Sequence, residues 1–328
     1  MKRLISFGEA LIDFVPTING QPLHEVTEFR RVAGGAPANV AAAVARLGGE
    51  SYFAGKIGDD AFGRFLAGVL KENNVHTDYL LYTREAKTAL AFVSLREDGE
   101  RDFMFYREPS ADMLFEADEM SPNWFQDPGI FHFCSVTLSY PVSAAATRRG
   151  AELAYQKNWL LSFDPNLRFP LWNRPQDARE AVLPLLPFAN LVKVAEDELL
   201  FITQAREEAR GARSLLDLGV DLVVVTRGRE GCHYYTKQHT GQVPAVPVTA
   251  VDATGAGDAF DGGLLYQLAA RELDRPGFRR FLQDTEALEA VLRFANGCGA
   301  IATTGRGAIP ALPTREAVEG FVGGADRH

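Results

Sequence analysis

Short apolar runs alternate with amphipathic helical patterns along most of this 328-residue chain. Runs of strand length predict buried strands at residues 4–7, 51–56, 130–136, 159–164, 191–194 and 221–226. Between the runs, residues 37–47 and 60–72 carry apolar side chains at helical spacing. Strands that alternate with helices predict an α/β fold, a mostly parallel central sheet covered by helices on both faces.

Two neighbouring segments depart from this rhythm. Residues 88–95 and 101–106 are extended, partly alternating runs separated by Asp98-Gly99, which favours a hairpin. Residues 23–32 also have a strand-like pattern, more polar than that of a core strand. Together they predict a small antiparallel sheet that covers a ligand site as a lid, within one domain over 1–328 and with lid segments near 14–33 and 87–109. An edge hairpin of the main sheet is the alternative.

Composition narrows the function classes. Hydrophobic residues make up 46% of the chain and charged residues 23%, as in ordinary soluble proteins. The net charge of −9 disfavours binding to nucleic acid or an anionic membrane. No apolar run reaches the roughly 18 residues of a membrane span, and the N-terminal run is too short for a signal peptide. Three widely spaced cysteines show no metal-binding spacing, so we expect a cytoplasmic protein.

The most informative motif precedes a late helical pattern. Gly255, Ala256 and Gly257 allow three backbone N–H groups to approach a ligand closely, and a helix N-terminus attracts anions. Asp258 lies in the first turn, where an ionised carboxylate can accept a proton from a hydroxyl. This combination favours phosphoryl transfer to an alcohol. The alternative is a tight turn with an aspartate that complements the helix dipole.

A second glycine motif opens the first predicted helix. Gly34 and Gly35 stand before Pro37, which suits the first helical turn and close backbone approach to a ligand. Asn39 offers a donor and an acceptor to sugar hydroxyls, or else assists the helix terminus. Asp13 falls in an apolar run, where a carboxylate needs a partner or exposure. It predicts a hydroxyl-binding residue, with a surface turn as the alternative.

Polar residues follow other predicted strands. Arg107 ends the hairpin, and Arg168 follows Asn166 at the end of another strand. Guanidinium groups at such positions can clamp phosphate or substrate oxygens. Residues 226–231 close a strand with a turn suited to a nucleotide. Solvated surface arginines and an ordinary turn are the alternatives.

Together these motifs resemble those of the ribokinase-like (PfkB-type) carbohydrate kinases, and within that family the bacterial fructokinases. Gly-Gly-Ala-Pro-Ala-Asn at 34–39 and Asp-Ala-Thr-Gly-Ala-Gly-Asp at 252–258 carry the family likeness. Residues 55–63, 88–93 and 105–112 carry the likeness to fructokinases. The resemblance implies a ribokinase-like three-layer α/β/α fold with a β-sheet lid.

The resemblance also implies roles for the acceptor side of the site. Asp258 would deprotonate the acceptor hydroxyl, while the N–H groups of Gly255, Ala256 and Gly257 would stabilise the transferring phosphoryl group. The sugar would be held by Asp13, Gly34, Gly35, Asn39 and Arg107.

For ATP, the resemblance implies contacts from Asn166, Arg168, Thr226, Gly228, Gly231, Gly255, Gly257 and Asn296. Mg²⁺ would travel with ATP, assisted through water by Glu198, and K⁺ is expected near Asp252. Many relatives carry Asn three residues before that glutamate, whereas this chain has Ala195, which weakens the metal-site assignment.

The implied activity is ATP-dependent phosphorylation of D-fructose to D-fructose 6-phosphate. A 2-keto-3-deoxygluconate kinase is the nearest rival, and a non-catalytic sugar sensor on the same scaffold is a rival of another class. Relatives often pair through their lids, so a homodimer is expected.

Overall fold

A nine-stranded sheet forms the centre of the computed structural model, which describes residues 1–18, 20–95 and 101–325. The strands in chain order are β1 (Leu4–Phe7), β2 (Leu11–Pro16), β3 (Phe29–Gly34), β4 (Ser51–Gly58), β5 (His76–Thr83), β6 (Leu90–Leu95), β7 (Arg101–Tyr106), β8 (Ile130–Cys134), β9 (Leu160–Asp164), β10 (Leu191–Ala195), β11 (Leu222–Thr226), β12 (Cys232–Tyr235) and β13 (Thr240–Val243). The central sheet has the order β13-β12-β11-β10-β9-β8-β1-β4-β5. All its neighbours pair in parallel except β11 with β12 and β12 with β13.

Helices cover both faces of this sheet. They are α1 (Ala36–Arg46), α2 (Ala61–Glu72), α3 (Pro141–Gln156), α4 (Pro175–Val182), α5 (Glu196–Thr203), α6 (Glu208–Asp217), α7 (Ala256–Ala270), α8 (Arg275–Phe281), α9 (Thr285–Thr303), α10 (Ala308–Ala311) and α11 (Arg315–Ala325). Helices α3 to α6 pack on one face and the others on the opposite face. Strand β11 shows the result, since Leu222 and Val224 enter one core while Val223 and Val225 enter the other. The predicted three-layer α/β/α fold is confirmed.

The small sheet has the order β3-β2-β6-β7. Its outer pairs are antiparallel as predicted, but β2 and β6 pair in parallel. Both strands leave the main sheet at the same edge, β2 after β1 and β6 after β5, so they run in the same direction. The expected strand at 23–32 is also shifted: residues 23–25 form a 3₁₀ turn and the strand is Phe29–Gly34. The predicted Asp98-Gly99 turn lies outside the described residues.

The central-sheet strands that the sequence pattern does not predict lie toward the edges of the sheet. Strand β5 is largely exposed on one side, and β12 and β13 form a short hairpin at the far edge. Their mixed polar pattern follows from this partial exposure, so their sequences lack the apolar runs of β1 or β11. Within the described residues, no helix combines the length and apolarity needed to cross a bilayer.

Strand β1 marks the point where the strand order reverses. The chain adds β4 and β5 on one side of β1, then returns to add β8, β9, β10 and β11 on the other. Open α/β sheets bind ligands in the crevice outside the carboxyl ends of the strands at such a point. The loops after β1, β8 and β9 are therefore placed to form a site.

Candidate active site

A cleft of about 110 Å³ lies at this switch point, between the main sheet and the small sheet. We call it the central cleft; residues that border it include Glu9, Asp13, Asn39, Arg107, Asn166 and Asp258. Gly35, Arg168 and Gly255 border it too. Residues that are far apart in sequence, from both glycine motifs and both arginine positions, therefore face one cavity.

Asp258 and Asn39 meet at the heads of two helices. The Asn39 side-chain amide on α1 donates a 2.7 Å hydrogen bond to Asp258 Oδ2 on α7. Burial raises the pKa of Asp258, while the Asn39 hydrogen bond and the nearby Lys193 ammonium oppose that rise. A buried carboxylate with an elevated pKa and one fixed hydrogen bond is suited to accept a proton from a bound alcohol.

The backbone at the head of α7 requires glycine. Gly255 has φ +75°, and a Cβ there would lie 2.6 Å from the Ala308 Cβ. Across the described residues, the N–H groups of Gly255 and Gly257 have no acceptor, whereas the Ala256 N–H donates to the Ala253 carbonyl at 3.3 Å. Free donors at a helix N-terminus bind anions.

Asp252 holds this loop in place. Its Oδ1 accepts hydrogen bonds from the backbone and hydroxyl of Thr254 at 2.9 and 2.6 Å. Its Oδ2 accepts from the Gly307 N–H at 3.0 Å. The carboxylate thus joins the loop before α7 to the loop before α10, and its expected contact with a monovalent cation stays a prediction.

The first glycine pair accommodates two acidic residues. A Cβ on Gly34 would lie 2.0 Å from Asp13 Oδ2, and one on Gly35 (φ +103°) would lie 2.4 Å from the Glu9 carbonyl oxygen. Asp13 belongs to β2, opposite Val32 of β3, rather than to a surface turn. Larger side chains at 34 and 35 would therefore displace the acidic residues that border the cleft.

Glu9 was not predicted from the sequence. It directly follows the β1–Gly8 segment and is buried, and the Ala36 N–H donates to its Oε1 at 3.1 Å. Burial raises the pKa of Glu9 to about 7, although Arg107 opposes the rise. A charged residue at the carboxyl end of the first buried strand was the available signal.

Arg107 is neutralised within the protein. Its guanidinium forms a buried ion pair with Asp112, which also accepts a 2.5 Å hydrogen bond from the Ser110 hydroxyl.

A second buried cation, Lys193 of β10, contacts Asp164 at 2.8 Å and Asp261 at 3.2 Å. Sequence reasoning missed these partners because each becomes informative only through its burial.

A second cavity of about 320 Å³ lies beyond the carboxyl ends of β10 and β11. Thr226 and Gly228 border it together with Ala195, and their expected contacts with the nucleotide stay a prediction. Gly231 and Asn296 do not border either cavity. The Asn296 amide donates to the Val243 carbonyl at 2.9 Å, and Gly231 (φ +100°) leaves room for that same carbonyl. Both residues therefore lie against the carboxyl end of β13, and their expected contacts with the nucleotide stay a prediction.

Glu198 has both carboxylate oxygens occupied. They accept backbone hydrogen bonds from Leu167 at 2.5 Å and Ala195 at 3.0 Å, which join the loop after β9 to β10. In the described ranges, no cluster of three or more His, Cys, Asp or Glu side chains has a metal-binding arrangement. This donor set does not fit direct coordination of Mg²⁺ by the protein, and the Ala195 methyl adds no ligand atom.

Residues 1–315 match the pfkB family of carbohydrate kinases. The chain is 46% identical to probable fructokinase-4 of Arabidopsis thaliana over 322 residues, 98% of this chain and 97% of that protein. A fructokinase from Xylella fastidiosa with bound ATP is 39% identical, with a TM-score of 0.92 and 99% of both chains covered. A double mutant of the Vibrio cholerae O395 fructokinase, with fructose, ADP and potassium ion bound, is 35% identical, with a TM-score of 0.88 and 98% of both chains covered.

Proposed function

Because the chain belongs to the pfkB family of carbohydrate kinases, we propose that it is a fructokinase, which uses ATP to convert D-fructose to D-fructose 6-phosphate. The observation that carries this proposal is the 2.7 Å hydrogen bond between Asn39 and Asp258. It joins the two glycine motifs at the floor of one cleft, so a proton acceptor and an anion-binding helix head face the same bound molecule.

The proposed chemistry uses Asp258 as the general base. Its carboxylate takes the proton of the primary sugar hydroxyl as that oxygen attacks the γ-phosphorus of ATP and the bond to ADP breaks. The free N–H groups of Gly255 and Gly257, with the Ala256 backbone beside them, stabilise the charge on the transferring phosphoryl group. Asn166 and Arg168 approach the phosphates from the loop after β9.

The charges of the central cleft favour a neutral sugar over a sugar acid. Glu9, Asp13 and Asp258 border it, whereas the Arg107 guanidinium is paired with Asp112. Arg168 also borders the cleft, but in the proposed mechanism it binds the phosphates. A carboxylate on the substrate would meet like charges without the full benefit of Arg107. This favours fructose over 2-keto-3-deoxygluconate, with Asp13, Gly34, Gly35, Asn39 and Arg107 forming the sugar side.

The nucleotide is proposed to extend from Gly255 and Gly257 to the second cavity, which Thr226 and Gly228 border. Gly231 and Asn296 are proposed to contribute to the same nucleotide side. Mg²⁺ bound to the ATP phosphates would supply charge neutralisation, and Glu198 would assist through water. K⁺ is proposed near Asp252. Exchange of K⁺ for Li⁺ at constant ionic strength should lower kcat, and an unchanged kcat would overturn this cation site.

An ADP-release assay over fructose, 2-keto-3-deoxygluconate, ribose, glucose and adenosine tests the function. We expect the highest kcat/KM for fructose. A preference for the keto acid would overturn the substrate but keep the reaction type. Fructose binding by calorimetry without ADP release would instead favour the sugar sensor.

We also propose a homodimer through the lid. Met104 and Tyr106 lie two residues apart on β7, an edge strand, and both side chains are exposed, at 42% and 57%. Light scattering should give twice the chain mass for the native protein and the chain mass for Tyr106→Lys.

A cytoplasmic location stays a prediction, favoured by three buried free cysteines.

A further inference from the structure

Three buried side-chain atoms of the central cleft residues lack a hydrogen-bond partner among the described residues. They are Glu9 Oε2, Asn39 Oδ1 and Arg107 Nε. A buried polar atom without a partner costs roughly 1–3 kcal/mol, so folded proteins rarely leave several together. Their presence at one cleft points to a ligand that supplies the missing hydrogen bonds.

The three atoms have a mixed chemistry. Above the Glu9 pKa of about 7, Glu9 Oε2 accepts hydrogen bonds, as Asn39 Oδ1 does, whereas Arg107 Nε donates one. A hydroxyl group can do both at once, and a sugar carries several hydroxyls on adjacent carbons. The cleft residues therefore match a polyhydroxylated ligand better than an anion, which could accept from Arg107 but could not donate to Glu9.

Glu9 is held so that only one of its oxygens is available. The Ala36 N–H occupies Oε1 at 3.1 Å, and Gly35 packs against the Glu9 carbonyl. Arg107 and Asp112 lie close enough to Glu9 to act on it electrostatically. A side chain fixed at one oxygen by a helix head can bind a ligand with little loss of conformational entropy.

We propose that Glu9 is a sugar-binding residue, whose Oε2 accepts a hydrogen bond from one sugar hydroxyl that in turn accepts a hydrogen bond from Arg107 Nε. This assignment rests on the proposed sugar kinase activity. It adds a selectivity determinant to the sugar side of the site that neither glycine motif contains. A water molecule bridging Glu9 and Arg107 permanently is the competing explanation.

The variant Glu9→Gln tests the proposal, with Glu180→Gln on the exposed surface of α4 as the matched control. Glutamine can keep the oxygen that accepts from Ala36 while its NH₂ group cannot accept from the sugar. We expect KM for fructose to rise about tenfold or more, as for a lost hydrogen bond to a charged group, with kcat within about threefold. An unchanged fructose KM would overturn the proposal.

Monodeoxy fructoses separate direct contact from a structural effect. With the analogue that lacks the contacted hydroxyl, wild type and Glu9→Gln should have equal KM, whereas every other analogue should keep the difference. An equal loss with every analogue would support the bridging water and refute the proposal.

Two further measurements keep the outcomes distinct. Wild type that turns over none of the sugars refutes the proposed function itself, before any variant is compared. If Glu9→Gln fails to fold, a crystal structure of the wild type with fructose decides. A hydroxyl within about 3.2 Å of Glu9 Oε2 supports the proposal, and a water in that place overturns it.

Discussion

The side chains of Asn39 and Asp258, 219 positions apart, share a 2.7 Å hydrogen bond. This bond connects the head of α1 with the head of α7, and in it the Asn39 amide donates to the carboxylate that we assign as the base. Burial raises the pKa of Asp258, and the amide counteracts this by stabilising the ionised form. The pair therefore sets the pH range in which the base is active.

Replacement of Asn39 by Asp should move the acid limb of the kcat profile to higher pH. A second carboxylate beside Asp258 makes simultaneous ionisation of both unfavourable, so the base is protonated over a wider range. We expect a shift of about one pH unit or more, measured from pH 5.5 to 9. Asn123→Asp, at an exposed position, should keep the wild-type profile. An unmoved acid limb would contradict the coupling.

Replacement of Asp258 by Asn should lower kcat by roughly 10²–10⁴-fold, because the general base is lost. Fructose affinity, measured by calorimetry, should largely remain. Asp217→Asn, at the exposed end of α6, is the control and should keep kcat within about threefold. Near-normal turnover by Asp258→Asn would refute the assigned base.

Gly255→Ala should destabilise the head of α7 and lower kcat. Its backbone has φ +75°, and the added methyl would lie 2.6 Å from the Ala308 Cβ, so we expect a loss of roughly 1–3 kcal/mol in unfolding free energy. Gly68→Ala in α2 meets no atom within 4 Å and should instead stabilise the helix by about 0.5–1 kcal/mol. Urea denaturation measures both, and equal effects of the two substitutions would contradict the argument.

His132 should make the protein less stable in acid. Burial lowers its pKa to about 4 from 6.5, so the unfolded chain binds more protons than the folded chain between these values. Its contribution is complete above pH 6.5 and is lost as the pH falls toward 4, by up to about 3 kcal/mol. Glu9 has the opposite effect on the pH dependence of stability. Because its pKa is raised to about 7, its contribution to the unfolding free energy is lost as the pH rises from about 4.5 to 7.

The difference between wild type and His132→Asn isolates the histidine, because Glu9 is common to both. Urea denaturation at pH 7.5, 6 and 5 should show a difference in unfolding free energy that shrinks toward low pH. His76→Asn, at an exposed histidine, should leave the wild-type slope intact. A constant difference for His132→Asn would contradict the assignment.

The strands with strong signals in the sequence are those buried on both faces. Residues 222–225 alternate between two cores and were predicted, as was the family from its two glycine motifs. Strand β5, exposed on one side, was missed, and the parallel pairing of β2 with β6 was not foreseen. Local patterns report burial, but strand order and direction depend on how distant segments leave the sheet.

The sequence by itself determined the α/β architecture, the glycine turns and the acidic residue at the head of α7, because each depends on local backbone geometry or periodicity. Only the tertiary structure decided that Glu9 borders the cleft, that Arg107 is paired with Asp112, and that Lys193 lies between Asp164 and Asp261. The physical reason is burial: removal from water makes an ordinary charged residue depend on its neighbours, and those neighbours come from strands far apart in the chain.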